Sequence, residues 1–371
     1  MNEELRVIIS GGGTGGHIFP AISIANAIRE KNPNAQILFV GALGRMEMQR
    51  VPQAGYEIKG LPIMGFDRKN LLKNLKVLWK VWQSQRMAKR IIKEFKPQVA
   101  VGVGGYASGP TLNKAAAMGI PCLIQEQNSY AGVTNKLLAK KASKICVAYE
   151  GMERFFPKEK IMLTGNPVRQ ALLDAKVTRE EALKSFGLNT AKKTVLIVGG
   201  SLGARTLNES VLTHLEEIEK SGFQFIWQTG KYYSEQIAEE LRQKKKPANL
   251  VVTDFIADMA AAYRAADLVV SRAGAGSISE FCLLGKPVIL VPSPNVAEDH
   301  QTKNAMALVE RQAALYVKDS EAPQQLIGMA VKTVADEGKL TSLAENILKM
   351  ALPHSADIIA NEVIALAANK Y

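Results

Sequence analysis

The chain has 371 residues, with 47 Lys and Arg against 35 Asp and Glu, giving a formal net charge of +12. That length predicts two or three domains rather than one. With 47% hydrophobic and 22% charged residues the composition is that of a globular chain, and no stretch reaches the ~20 uninterrupted apolar residues of a membrane span. Cys122, Cys146 and Cys282 are odd in number and far apart. They exclude a disulfide framework or a zinc knuckle and read as buried thiols in a reducing compartment.

The N-terminus, MNEELRVIIS, is acidic where a secretory signal would be basic, and reads as the first strand of a cytoplasmic protein. Residues 5–9 form that strand. A glycine loop at 11–17 follows, then a helix beginning near Pro20, where proline suits the first turn. Apolar runs at 37–40, 99–103, 122–124 and 145–148, separated by helix-length segments, predict a parallel sheet covered on both faces. Between 68 and 93 stand nine Lys or Arg and no acid, interleaved with Leu71, Leu72, Leu75, Leu78, Trp79 and Trp82. Leu71, Leu75, Leu78 and Trp82 recur at helical spacing. Such a segment suits an anionic membrane interface, and equally a helix whose apolar stripe joins the core.

Near Gly165-Asn166-Pro167 the pattern breaks. After one short helical segment at 178–186 it restarts with a strand at 194–198, a loop at 199–203, and strands at 223–227, 250–252, 268–270 and 288–291. The segment after Pro353 has helical period and can pack on either half.

Gly11, Gly13 and Gly16 satisfy G-x-G-x-x-G between a strand and a helix, which suits a dinucleotide. The position after the second strand, Gly41-Ala42-Leu43-Gly44-Arg45, lacks the acid that holds an NAD ribose, although Arg45 would suit NADP. More telling is multiplicity. Gly102-Val103-Gly104-Gly105, Gly199–Gly203 and Gly274-Ala275-Gly276-Ser277 repeat the strand–glycine–helix turn, two per half. Backbone N–H groups at such turns, with the helix dipole, hold phosphate. Neither Gly230-Lys231 nor Gly285-Lys286 is followed by Ser or Thr, so no Walker A loop is present.

Read together, GGTGGHIFPA (12–21), GVGGYASGP (102–110), IQEQNSYAGVTNK (124–136), GNPVR (165–169), GGSLGAR (199–205) and DFIADMAAAY (254–263) closely resemble the membrane-associated N-acetylglucosaminyltransferases of peptidoglycan synthesis. These blocks run in order from 12 to about 304, most of the chain. The resemblance implies transfer of N-acetylglucosamine from UDP-N-acetylglucosamine to undecaprenyl-diphospho-muramoyl-pentapeptide, lipid I to lipid II, with inversion. It implies the α/β fold GT-B: two Rossmann-like parallel-sheet domains facing across a cleft, the C-terminal helix returning to the first. The domains expected are 1–165 with 353–371, binding acceptor and membrane, and 166–352, binding the donor.

By resemblance the donor site draws on Ala275, Gly276, Ser277, Ile278, Ser279 and Glu280, with Glu280 accepting from the ribose hydroxyls and Ser201 at the diphosphate. Arg169 is implied at the nucleotide, Ile256 at uracil (core packing being nearly as good a reading), and Gln301 at the sugar. Asn128, Thr14, Gly15 and Gly16 are implied to reach the donor sugar from the first half. The family has a bulkier residue at 276 and Thr at 277, but small residues keep the backbone donors. The acceptor diphosphate is expected at Gly13, Gly104, Gly105 and Tyr106. No Asp-x-Asp metal pair occurs, so helix dipoles and Ser and Arg donors are expected to stabilise the leaving UDP without metal or other cofactor.

Among the histidines His17, His214, His300 and His354, His17 alone stands on a glycine loop at a helix start. It is the expected general base or acceptor-positioning group, with Glu126 its rival. Membrane contacts are expected at Leu72, Leu75, Trp79, Trp82, Lys69, Lys73, Lys76 and Lys80, placing the enzyme on the cytoplasmic face of the membrane against anionic phospholipid. Cell-wall synthesis proteins are further partners, and nucleic acid is not expected. A transferase acting on another glycolipid, such as diacylglycerol, and a nucleic-acid-binding module are the competing readings.

Overall fold

The computed structural model describes residues 4–64, 73–200 and 202–368, with the side chains of 73–76, 170–171 and 297 outside the description. The chain divides into two compact units, Met1–Arg169 with Leu352–Tyr371, and Gln170–Ala351.

In the first unit, β1 (Arg6–Ser10), β2 (Gln36–Ala42), β3 (Glu57–Leu61), β4 (Val99–Gly102), β5 (Cys122–Glu126), β6 (Lys144–Val147) and β7 (Ile161–Leu163) form one sheet. Its order is β3-β2-β1-β4-β5-β6-β7, and every pairing is parallel. Alternation along β1 sorts its residues into two layers. Ile8 faces a core with Ile91, Ile92 and Leu112. Val7 and Ile9 face another, with Ile24 and Ile28 of the helix Gly15–Lys31 and Ile359 and Val363 of the helix Ser355–Ala368. Both faces are therefore dry, which is why these strands read as continuous apolar runs.

The C-terminal helix belongs to this first unit. Ser355 Oγ donates to Thr164 O at 2.6 Å, and Lys31–Asp357 and Lys144–Glu362 pair at 3.3 and 3.2 Å. The first helix starts at Gly15, earlier than Pro20 suggested, and Pro20 lies inside it. Thr14, with extended backbone, is its N-cap, so Gly-Gly-His turns helical before the proline is reached.

In the second unit, β8 (Thr194–Val198), β9 (Gln224–Gln228), β10 (Leu250–Thr253), β11 (Leu268–Ser271), β12 (Val288–Leu290) and β13 (Leu315–Tyr316) form a parallel sheet ordered β10-β9-β8-β11-β12-β13. Val195, Ile197, Phe225, Trp227 and Val270 share a core with Leu326 and Ile327 of the helix Ala322–Ala335. Three edge strands, β3, β7 and β13, escape the sequence reading. They are short and only part-buried, EIKGL in β3 for example, so no apolar run marks them.

Candidate functional site

In each sheet the strand order reverses at one place, between β1 and β4 in the first and between β8 and β11 in the second. The four glycine clusters follow these four strands. Ligands of open α/β sheets bind outside the carboxyl ends of the strands at such switch points.

At the first switch point the two loops are locked to each other. Gly105 has φ +84°, and a Cβ there would stand 2.3 Å from Gly12 O, so backbone packs on backbone. Ser108 Oγ lies 2.8 Å from both Ser10 O and Gly104 O, and Ser10 Oγ donates to Val40 O at 2.9 Å. Beneath them lies Glu47, 1% exposed. Its Oε2 accepts from Gly13 N at 2.9 Å and its Oε1 from Ala42 N at 3.0 Å. The Gly13 N–H, expected at the acceptor diphosphate, is thus committed to a carboxylate of the protein itself.

Above this floor stands His17, half-buried. Its Nδ1 is 3.2 Å from Thr14 Oγ1, and its ring edge passes so close to Gly104 that a Cβ there would meet Nε2 at 2.9 Å. The imidazole is therefore held by the two glycine loops together. Gly15 is partly exposed and Gly16 exposed, as is Tyr106 on the β4 loop.

Glu126, the rival base, is placed differently. It ends β5 and is buried. Oε1 accepts from Asn128 N (3.1 Å) and Asn128 Nδ2 (3.3 Å), and Oε2 from Gly132 N (3.0 Å) and Asn135 Nδ2 (2.8 Å). Burial pushes its carboxyl above the usual range, against the pull of these donors. Two oxygens engaged by four internal donors make a clasp for residues 127–135. Glu126, the rival base, is thus tied into its own loop. Asn128, expected at the donor sugar, has its amide on this clasp.

The second switch point is open. A cavity of about 780 Å³ is lined by Gly200, Arg205, Arg272, Ser277, Gln301 and Asp319 among others, within the size range of small-molecule sites. The helix Ala275–Leu284 starts on its wall with no acid in its first turn and no side-chain cap on its N–H groups, an arrangement suited to anions. Of the residues expected here, Ser277 and Gln301 line the cavity, and Gln301 Oε1 accepts from Ser293 N at 2.9 Å. Ala275 and Ile278 are buried, Gly276 is partly exposed, and Ser279 Oγ donates back to Ala275 O. Glu280, one turn beyond Ser277, is 7% exposed and takes the Tyr263 hydroxyl on Oε2 at 3.0 Å. Ile256 is buried, which leaves only its backbone to meet a base. Arg169 is exposed at the end of the first unit. Ser201 lies outside the described residues.

Sequence reasoning missed Arg272, the first residue after β11. It forms an ion pair with Asp319, the two side chains 16% and 20% exposed, and Arg272 Nη1 donates to Val291 O at 3.0 Å. Thr206 Oγ1 donates to Asp319 Oδ2 at 3.1 Å. A cation directly after a strand and before a glycine turn was the available signal. Among the described residues, no group of three or more His, Cys, Asp or Glu is placed to hold a metal ion. The three cysteines are buried, their thiols pushed up to about 12 by burial.

The basic segment forms the helix Lys73–Phe95. Its inward stripe is Val77, Ser84, Ala88, Ile91 and Ile92, not the Leu78–Trp82 stripe that periodicity offered. Leu78, Trp79 and Trp82 face out at 55, 62 and 48% exposure. The indoles stack at 5.0 Å, with the Arg86 guanidinium 4.8 Å from the Trp82 ring. Lys80 is partly exposed. Lys69 and Leu72, and the side chains of Lys73, Leu75 and Lys76, lie outside the description. Among the described residues no helix is long and apolar enough to cross a membrane.

Two parallel sheets of this topology, each with a glycine-lined switch point, make the GT-B fold, and the chain belongs to glycosyltransferase family 28. Its residues 7–147 match the N-terminal domain of that family and residues 194–360 the C-terminal domain. A protein of Phocaeicola vulgatus is 68% identical over all of this chain and 98% of its own length. It is named a UDP-N-acetylglucosamine–N-acetylmuramyl-(pentapeptide) pyrophosphoryl-undecaprenol N-acetylglucosamine transferase. One from Bacteroides thetaiotaomicron, with the same name, is 69% identical over 99% of both chains. The crystal structure of Acinetobacter baumannii MurG superposes with a TM-score of 0.79 at 30% identity, over 97% of this chain and 99% of that one.

Proposed function

We propose that this enzyme transfers N-acetylglucosamine from UDP-N-acetylglucosamine to the C4 hydroxyl of undecaprenyl-diphospho-N-acetylmuramoyl-pentapeptide, inverting the anomeric centre and converting lipid I to lipid II. The observation that carries the reading is an open, anion-suited cavity in the second unit; the first unit, by itself, holds a histidine between its two glycine loops.

UDP-N-acetylglucosamine occupies the second unit. The N–H groups of Gly276 and Ser277 and the positive end of their helix meet the diphosphate, where charge grows as UDP departs. Arg272 adds a fixed cation. Gln301 meets the sugar, Glu280 the ribose, and the Ile256 backbone the uracil edge. Arg169 and Ser201 complete the nucleotide contacts. In the first unit His17 takes the proton of the attacking hydroxyl, its Nδ1 oriented by Thr14. Gly15 and Gly16 present the helix N-terminus to the ligands, and Gly104, Gly105 and Tyr106 border the acceptor diphosphate. Direct displacement needs no covalent nucleophile.

Leu78, Trp79 and Trp82 with their basic surroundings hold the enzyme peripherally on anionic phospholipid at the cytoplasmic face, each near-surface cation adding ~1 kcal/mol. The lipid-linked acceptor lies in that surface, and cell-wall synthesis proteins meet the enzyme there.

The test is incubation with labelled UDP-N-acetylglucosamine and a lipid I analogue in EDTA. Product is expected. No product with or without divalent cation refutes the assignment, and turnover lost only on chelation refutes the metal-free part.

A further inference from the structure

We propose that Glu47 is a positioning residue for transfer: its buried carboxylate sets the loop after β1, and through that loop the histidine that takes the proton. The inference rests on the reading above. Glu47 opens the helix Glu47–Gln53, directly after β2. Each of its oxygens takes one backbone N–H, Ala42 from the end of β2 and Gly13 from the loop after β1. Two neighbouring strands are thereby tied at their carboxyl ends by a single side chain.

Two segments of the chain conform to this carboxylate. A Cβ on Gly12 would fall 2.3 Å from its carboxyl carbon, and one on Gly41 would fall 2.6 Å from its Cγ. Gly12 also holds φ +147°, a backbone that side-chain-bearing residues rarely adopt. Among the described residues no Lys or Arg pairs with Glu47. A buried acid satisfied only by amides is a costly way to fill space, but it fixes two N–H vectors at once.

What it fixes leads straight to His17. Gly13 precedes Thr14, whose carbonyl accepts from His17 N at 3.1 Å and Ile18 N at 3.2 Å, and whose hydroxyl meets His17 Nδ1. A shift at Gly13 therefore moves both the root of the imidazole and the partner that sets its tautomer. A displacement of ~1 Å at a reacting group costs up to ~10²-fold in rate.

Two variants test this, Glu47→Gln and Gly41→Ala. The glutamine keeps the shape but turns an NH2 toward one of the two N–H donors. The alanine leaves the carboxylate and pushes on it from β2. For each, kcat is expected to fall at least tenfold while KM for UDP-N-acetylglucosamine stays within twofold. Amide hydrogen exchange should quicken in residues 11–17 and not in the second unit. A folded Glu47→Gln protein with kcat within twofold of the parent overturns the proposal. So does exchange that rises evenly along the whole chain, which marks a merely structural residue. Should Glu47→Gln fail to fold, the Gly41→Ala protein is judged by the same criteria. A parent inactive on these substrates refutes the transferase reading instead, and the exchange profile still decides whether Glu47 sets the loop.

Discussion

The two switch points share a topology and differ in what fills them. In the first, a carboxylate, two serine hydroxyls and a backbone-on-backbone contact occupy the space behind the glycine turns, and above them stands the half-buried imidazole of His17. In the second the glycine turns border a cavity of about 780 Å³, with an arginine held at its edge. Glycine-rich turns at the same topological address thus serve opposite ends. One set is packed around a side chain, the other borders an open cavity. A glycine motif alone does not say which; the residue that its missing Cβ makes room for does.

The contrast is broken most directly at the imidazole. His17→Ala should lower kcat ~10²–10⁴-fold, the usual worth of a positioned acid–base group, with UDP protection against thermal unfolding retained. Turnover within threefold of the parent removes His17 from the mechanism. On the open side, Arg272→Ala leaves Asp319 without its cation. A part-buried pair broken this way should cost about 2–3 kcal/mol in denaturant unfolding and should weaken UDP protection. Undiminished protection would mean that Arg272 serves only the wall.

Glu126→Gln should destabilise the first unit by about 1–3 kcal/mol, through one donor–donor conflict in the clasp, leaving donor KM unchanged. Burial raises the folded pKa of Glu126, so its contribution is full below the unfolded value and falls as pH rises through the folded one. The glutamine variant lacks that slope, and denaturation midpoints at pH 5 and 8 read the difference. Smallest, and outside both loops, Trp79→Ala with Trp82→Ala should weaken binding to anionic vesicles severalfold without changing turnover of a soluble acceptor. Equal vesicle binding would move the membrane contact elsewhere.

Much of this architecture was legible in the sequence because parallel strands buried on both faces announce themselves as apolar runs. The glycine turns that follow β1, β4, β8 and β11 are visible for the same reason. The edge strands were not, since partial burial leaves no such run. The stripe 71–75–78–82 was a fair helical pattern, yet the core takes Val77, Ala88, Ile91 and Ile92 and leaves Leu78 and Trp82 outside, because periodicity gives a face and not its direction. Glu126 and Glu47 show the sharper limit. Both are acids beside glycine turns in the sequence. Only the fold shows that one is encircled by the amides of its own loop and the other reaches across to the neighbouring strand.

The last helix, Ser355–Ala368, carries a consequence for how the enzyme is made. Its Ile359, Ala360 and Val363 roof the layer containing Val7 and Ile9, so the second unit is an insertion within the first. On the ribosome, residues 170–351 can fold as soon as they emerge. The portion begun first must wait, one side of its sheet wet, until the closing residues arrive. A chain released before Leu352 would therefore hold a complete second unit attached to an incomplete first one.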